Sequence, residues 1–150
     1  MLKEGALAST SEAGFTLVEL MITVTIVAII ATIATTSYTT QVRESRRTDA
    51  RSALLDIAGR EEKLFSMANA YSAAASDLGY SNAGVTTFPM AVGSGYYSVN
   101  VVVPTPTTYT ITATAIGTQA NDAQCLTLFL DQTGTQNFTG TGTTKICWGN

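Results

Sequence analysis

The sequence offers few groups able to do chemistry, and their spacing does not favour catalysis. Histidine is absent, which removes the commonest general base, metal ligand and pH switch. The two cysteines, Cys125 and Cys147, lie too far apart for a CxxC pair, so zinc and thioredoxin-like readings have little support. Asn121, Asp122 and Asp131 carry oxygens suited to calcium. That ion takes six to eight of them, and acids here are sparse, so no metal and no cofactor are expected. Lys145 is the sole lysine after residue 71, and no motif surrounds it. An enzyme would need a carboxylate pair or a Ser–Lys arrangement that nothing outlines, so a non-enzymatic protein is expected. The most unusual titratable group is Glu19, the one charge in the apolar run FTLVELMITVTIVAIIATIA at 15–34.

As a helix that run would be about 30 Å long, enough to cross the hydrocarbon core of a bilayer. Its threonines at 16, 23, 25 and 32 can bond back to the preceding turn and do not forbid insertion. A secretory signal peptide has a shorter apolar core, and the helical pattern runs on past Ala31-Thr32-Ile33-Ala34, so cleavage there is not expected. A carboxylate in lipid is costly unless neutralised or paired. Glu19 either stays solvated near the interface or finds a positive partner. Cleavage between Gly14 and Phe15 would create an α-amine four residues from Glu19. Pairing of that amine with a neighbouring copy's Glu19 would set the register of stacked helices.

Gly14-Phe15-Thr16-Leu17-Val18-Glu19-Leu20-Met21 heads this membrane-length run, and it resembles the type III signal of type IV prepilins. The resemblance implies that a prepilin peptidase removes a leader, residues 1–14, by cutting after Gly14 on the cytoplasmic side. It implies methylation of the Phe15 amine and a role for Glu19 in entry of the subunit into a growing filament. The leader departs from the family's basic pattern, with Lys3 set against Glu4 and Glu12. Thr35-Thr36-Ser37-Tyr38 lacks the proline that many relatives carry, so no fixed kink is called for.

Beyond the run, residues 38–70 continue a helical pattern. Ala50, Ala53, Leu54, Ile57, Leu64, Phe65 and Ala68 recur at spacings of three, four and seven, one apolar stripe of an amphipathic helix. Glu44 with Arg47, and Asp56 with Arg60, are placed to pair along it. Arg43, Arg46, Arg47 and Arg51 read as a solvated face, with subunit or lipid-headgroup contact as the sharper alternative. The segment Arg46-Arg47-Thr48-Asp49-Ala50-Arg51-Ser52-Ala53-Leu54-Leu55 is similar to PilE-like members of the same family.

From residue 71 charges almost vanish and threonine is heavily used. Residues 71–95, with four glycines and Pro89, read as a connecting loop. Residues 96–150 read as an antiparallel sheet of about four strands. Tyr97, Val99, Val101 and Val103 form the first, ended by Pro104-Thr105-Pro106. Tyr109, Ile111, Ala113 and Ala115 form the second, and Leu126, Leu128 and Leu130 the third. A turn follows at Asp131-Gln132-Thr133-Gly134, and a short fourth strand is placed through Lys145-Ile146-Cys147. The fold class is thus α+β, a long N-terminal spine helix packed on a C-terminal sheet. Two cysteines beyond a membrane segment suggest one disulfide in an oxidising compartment; two buried free thiols are the alternative. In the family such a bond bounds a variable surface loop, here 126–146.

The chain has 150 residues, a formal net charge of −3 and a sequence pI near 4.7. That argues against a protein that coats nucleic acid by neutralising phosphates. The resemblance implies single-pass insertion in the bacterial inner membrane through residues 15–37, with the C-terminal domain periplasmic, then transfer to an extracellular pilus. The arginines after the run oppose this orientation on the positive-inside rule, whereas the resemblance and the cysteines favour it. Its partners would be the prepilin peptidase, other pilin subunits, the inner membrane and the pilus assembly machinery, with DNA or a host surface as a further partner. The implied roles are adhesion and twitching motility, with DNA uptake as a further role. A PilE-like minor pilin is favoured over the bulk subunit; the alternatives are a major pilin, or a pseudopilin of a type II secretion or competence system acting as a binding module.

Overall fold

The computed structural model describes residues 14–149. Residues 1–13, which hold all but Gly14 of the expected leader, with Lys3, Glu4 and Glu12, lie outside the described residues. The chain forms two units, Met1–Thr39 and Thr40–Asn150. One helix, α1 (Leu17–Ala68), contributes to both. Thr16 starts it: its hydroxyl accepts the Glu19 amide proton at 3.2 Å, satisfying one of the orphan N–H groups of the first turn. The other threonines of the apolar run bond back as their chemistry allows, Thr23 to the Leu20 carbonyl, Thr25 to that of Met21 and Thr32 to that of Ile29. Thr16 is the exception to that expectation, because at the first turn it has no preceding helical carbonyl and caps instead.

In the second unit the sheet is a meander in the order β1-β2-β3-β4-β5, with every neighbouring pair antiparallel. The strands are β1 (Met90–Val92), β2 (Tyr97–Thr105), β3 (Thr108–Ala115), β4 (Thr127–Asp131) and β5 (Gln136–Thr139). Register places Met90, Val99, Ala113, Leu128 and Phe138 in one row across all five strands, and Val101, Ile111 and Leu130 in the next. Because side chains alternate between faces along a strand, these rows share one face. The helix lays Ala50, Leu54 and Ile57 onto it, all fully buried. Burial of a side chain such as Leu54 or Ile57 contributes about 1.5–3 kcal/mol. Thr110, Thr112, Thr114 and Asn100 fall on the opposite face, partly or fully exposed.

Three details differ from the sequence reading. The sheet has five strands. The first, β1, lies within the stretch read as a loop, as does a 3-10 turn at Tyr80–Ala83. Three residues between Pro89 and Gly93 are too few for alternation to show. The last strand is β5, whose Gln-Asn-Phe-Thr has only one large apolar residue. The strand placed through 145–147 is instead a short helix, α2 (Thr144–Trp148). Its caps decide the matter: the Thr143 hydroxyl accepts the Ile146 amide, and Gly149 closes the turn at a φ of 87°, a backbone state that favours glycine. Finally, β2 runs through Pro104 to Thr105, with an irregularity in its pairing after Val102, which suits a residue lacking an N–H near a strand end.

Candidate functional site

The N-terminal segment presents its groups openly. Gly14 and Phe15 precede α1, Phe15 is 79% exposed, and Glu19 is exposed in the first turn. A carboxylate there interacts favourably with the helix N-terminus, and Thr16-x-x-Glu19 has the spacing of a capping box, a signal the sequence reading passed over. Behind it, Leu17, Val18, Leu20, Met21, Ile22, Val24, Ile26, Val27, Ile29, Ile30 and Ile33 are each more than half exposed. An apolar surface of this extent is an interaction surface, since water alone would not tolerate it. By length and composition this helix is able to cross a membrane.

In the second unit the polar groups converge where α1 enters the fold. Arg47 donates from Nε and Nη2 to the two carboxylate oxygens of Asp122, both at 2.6 Å, and from Nη2 to Gln124 Oε1 at 2.9 Å. The two side chains are 7% and 2% exposed. The bond to Asp122 raises the Arg47 guanidinium above its ordinary value, against the effect of burial. Gln119, also fully buried, donates to Asp122, to the Tyr97 hydroxyl and to the Arg43 carbonyl. Arg46 lies 3.4 Å from the centroid of the Tyr96 ring and donates to the Thr118 hydroxyl. Two of the arginines read as a solvated face therefore fasten the helix to the segment 117–122. Arg47 takes Asp122 in place of Glu44, because a bidentate, water-excluded carboxylate outcompetes an exposed one three residues away. Asp56 and Arg60 do pair along the helix, at 2.9 Å. Burial alone would raise the Asp56 carboxyl, but the Tyr80 hydroxyl and Arg60 outweigh it and hold it low.

Asp122 also leads into the disulfide. Cys125 and Cys147 are bonded, with Cα atoms 5.6 Å apart, so the free-thiol alternative falls. The bond ties the start of β4 to α2, and the span 126–146 between them contains β4, β5 and the start of α2. Thr141 and Gly142 donate to the Ala123 and Gln124 carbonyls. Gly140 makes this crossing feasible: its φ is 131°, and a methyl group there would overlap the Gln124 carbonyl. Trp148 is buried and donates from its indole to the Asn137 carbonyl on β5. Asp131, considered above as a calcium ligand, instead accepts from the Thr133 hydroxyl and from the Thr133 and Thr135 amides. Those bonds, the hydroxyl's above all, hold its carboxyl below the usual range.

A family model described as type IV minor pilin ComP, DNA uptake sequence receptor, matches residues 36–129. The chain belongs to the type IV minor pilin ComP family. A second family model, described as the prokaryotic N-terminal methylation motif, matches residues 9–35. Among solved structures the chain is similar to a type IV pilin from Shewanella oneidensis, with 24% identity and a TM-score of 0.46 over 63% of this chain and 89% of that one. The comparison with curated proteins finds no match. In this ComP-family pilin the matched spans meet at residues 35 and 36, so one covers the apolar half of α1 and the other its amphipathic half with β1 to β3 and the start of β4. Sequence reasoning singled out Gly14, Phe15, Glu19, Cys125 and Cys147. It missed the Arg47–Asp122–Gln119 cluster, because nothing in the spacing of positions so far apart announces a contact.

Proposed function

We propose that this pilin is made as a precursor, held in the inner membrane by residues 15–37, and drawn from there into a type IV pilus as a minor subunit. The observation that carries the reading is the uncovered apolar face of α1 headed by Gly14-Phe15-Thr16-Leu17-Val18-Glu19. Such a face needs lipid before assembly and neighbouring helices after it. On this reading the prepilin peptidase cuts between Gly14 and Phe15 and methylates the new amine. Glu19 then pairs with the amine of an adjacent subunit, which neutralises its charge among apolar helices. The Cys125–Cys147 bond supports a periplasmic location for the second unit, against the charge bias of the four arginines.

The family's description as a DNA uptake sequence receptor supports a finer role, contact between the second unit and DNA. With a net charge of −3 such contact must be local. Arg43, Arg46 and Arg51 supply cations near the start of the unit, and Gly149, one residue past α2 and its Lys145, approaches Arg51. The reading is tested by counting copies in sheared filaments and scoring piliation after deletion. Trace copies in the filament fraction support it. Copies as abundant as the bulk subunit, or none at all, would overturn it. For the DNA role, anisotropy with a labelled duplex should show affinity falling steeply with salt and weakening for Arg43→Ala.

A further inference from the structure

Glu61 occupies a place in the helix stripe where an apolar residue is expected. The buried positions run Arg47, Ala50, Leu54, Ile57, Glu61, and Glu61 is fully buried. One carboxyl oxygen, Oε2, accepts the Ser72 amide at 3.1 Å. The other, Oε1, is buried with no hydrogen-bond partner. A buried carboxylate with a single hydrogen bond and no counter-ion carries a large desolvation cost, and no Lys or Arg among the described residues forms an ion pair with it.

The groups around it do not relieve that cost. On its own helix the adjacent acid, Glu62, accepts the hydroxyls of Tyr71 and, at 3.4 Å, Tyr109 from β3. The nearest cation toward the N-terminus, Arg60, is engaged with Asp56 and with the Leu78 carbonyl. Lys63, on the other side, is exposed. From the segment after the helix, Asp77 accepts the Ser72 and Ser76 hydroxyls. Three acids thus face one short stretch of chain. The same stretch is clamped elsewhere by the Tyr71 amide on the Pro106 carbonyl and by the Tyr71 ring against Phe65 and Tyr109.

We infer that Glu61 is a proton-dependent latch: its neutral carboxyl holds residues 72–78 closed against α1, and its ionisation lets that segment open. Burial, with Glu62 and Asp77 adding to it, pushes the Glu61 carboxyl up from its ordinary value, and the Ser72 amide opposes only in part. A carboxyl raised in the folded state stabilises the fold fully below its unfolded value, about 4.3, and loses that contribution as pH rises through the raised value. The latch is therefore tight in acid and loosens toward neutral and alkaline pH. This is the reverse of what a salt-bridged carboxylate would give.

The test uses the full chain in detergent micelles. Amide hydrogen exchange at residues 72–78, corrected for the intrinsic pH dependence, is followed from about pH 4 to about pH 8, beside a carbon-detected titration of the Glu61 carboxyl. Expected is a loss of protection at Ser72 and its neighbours as pH rises, while the Arg47 end of α1 stays protected. Glu61→Gln, which keeps the shape and the acceptor but cannot ionise, should hold protection flat across the range. A wild-type profile that Glu61→Gln reproduces, or a Glu61 carboxyl that titrates in the ordinary range, would overturn the inference. Should Glu61→Gln fail to fold, the wild-type carboxyl titration alone decides between the two outcomes.

Discussion

The Arg47–Asp122 pair is the interaction whose removal should cost the second unit most. Arg47 makes three hydrogen bonds, two at 2.6 Å to Asp122 and one at 2.9 Å to Gln124. With side chains 7% and 2% exposed, water screens the pair little. Arg47→Ala leaves Asp122 buried with only the Gln119 amide, at 3.1 Å, to stabilise it. Breaking one side of such a pair costs about 3–5 kcal/mol. For a fold of this size, each kcal/mol lowers Tm by a few degrees, so a drop of more than about 10 °C is expected. Replacing both partners, Arg47→Met with Asp122→Leu, removes the buried charge and should restore most of the loss, because isosteric apolar pairs often match or exceed buried ion pairs. The assay is thermal unfolding of the full chain in detergent, read by the fluorescence of the buried Trp148, for wild type, both single variants and the double variant. The difference between the double variant and the sum of the singles is the coupling energy. A single-variant loss below about 1 kcal/mol, the level of an exposed pair, or a double variant as damaged as the sum, would refute the reasoning.

Three further outcomes follow from the same geometry. Reduction of Cys125–Cys147 should cost about 3 kcal/mol in the chain-entropy model, read as a lower Tm with reductant and loss of exchange protection at α2 before β2 and β3. Gly140→Ala should destabilise by more than about 2 kcal/mol, since it forces a side chain into a left-handed backbone state and onto the Gln124 carbonyl; Gly134→Ala, where a side chain would meet nothing within 4 Å, should cost less in the same melt. Glu19→Ala should leave processing intact and abolish recovery of the pilin in sheared filaments; normal recovery would remove the assembly role from that carboxylate.

The parts legible in the sequence are those governed by local periodicity. The stripe through Ala50, Leu54 and Ile57 and the alternation of Tyr97-Val99-Val101 and Tyr109-Ile111-Ala113 have one-dimensional signatures that the core reproduces, and most of the apolar run from Phe15 lies in the exposed N-terminal half of α1. Elements shorter than one clear period were not legible. β1 has three residues, β5 has one large apolar residue, and α2 is fixed by its caps rather than its pattern. The buried polar groups were hidden for a different reason. Arg47 and Glu61 look like ordinary surface charges on an amphipathic helix. Only the fold brings Asp122 to the first, and only the chain reversal after Ala68 lays Ser72 over the second. Gly14, Phe15 and Glu19 could be singled out because they lie close together in the sequence, whereas the polar cluster joins positions about seventy residues apart, such as Arg47 and Asp122.

The central claim, that this is a processed, filament-forming pilin, is tested most directly by the intact mass of the protein recovered from its host's envelope and filaments. Expected is a chain that begins at methylated Phe15, lacks Met1–Gly14, and carries one disulfide. A mass that retains the leader, or that corresponds to a cut near Ala34, would contradict it.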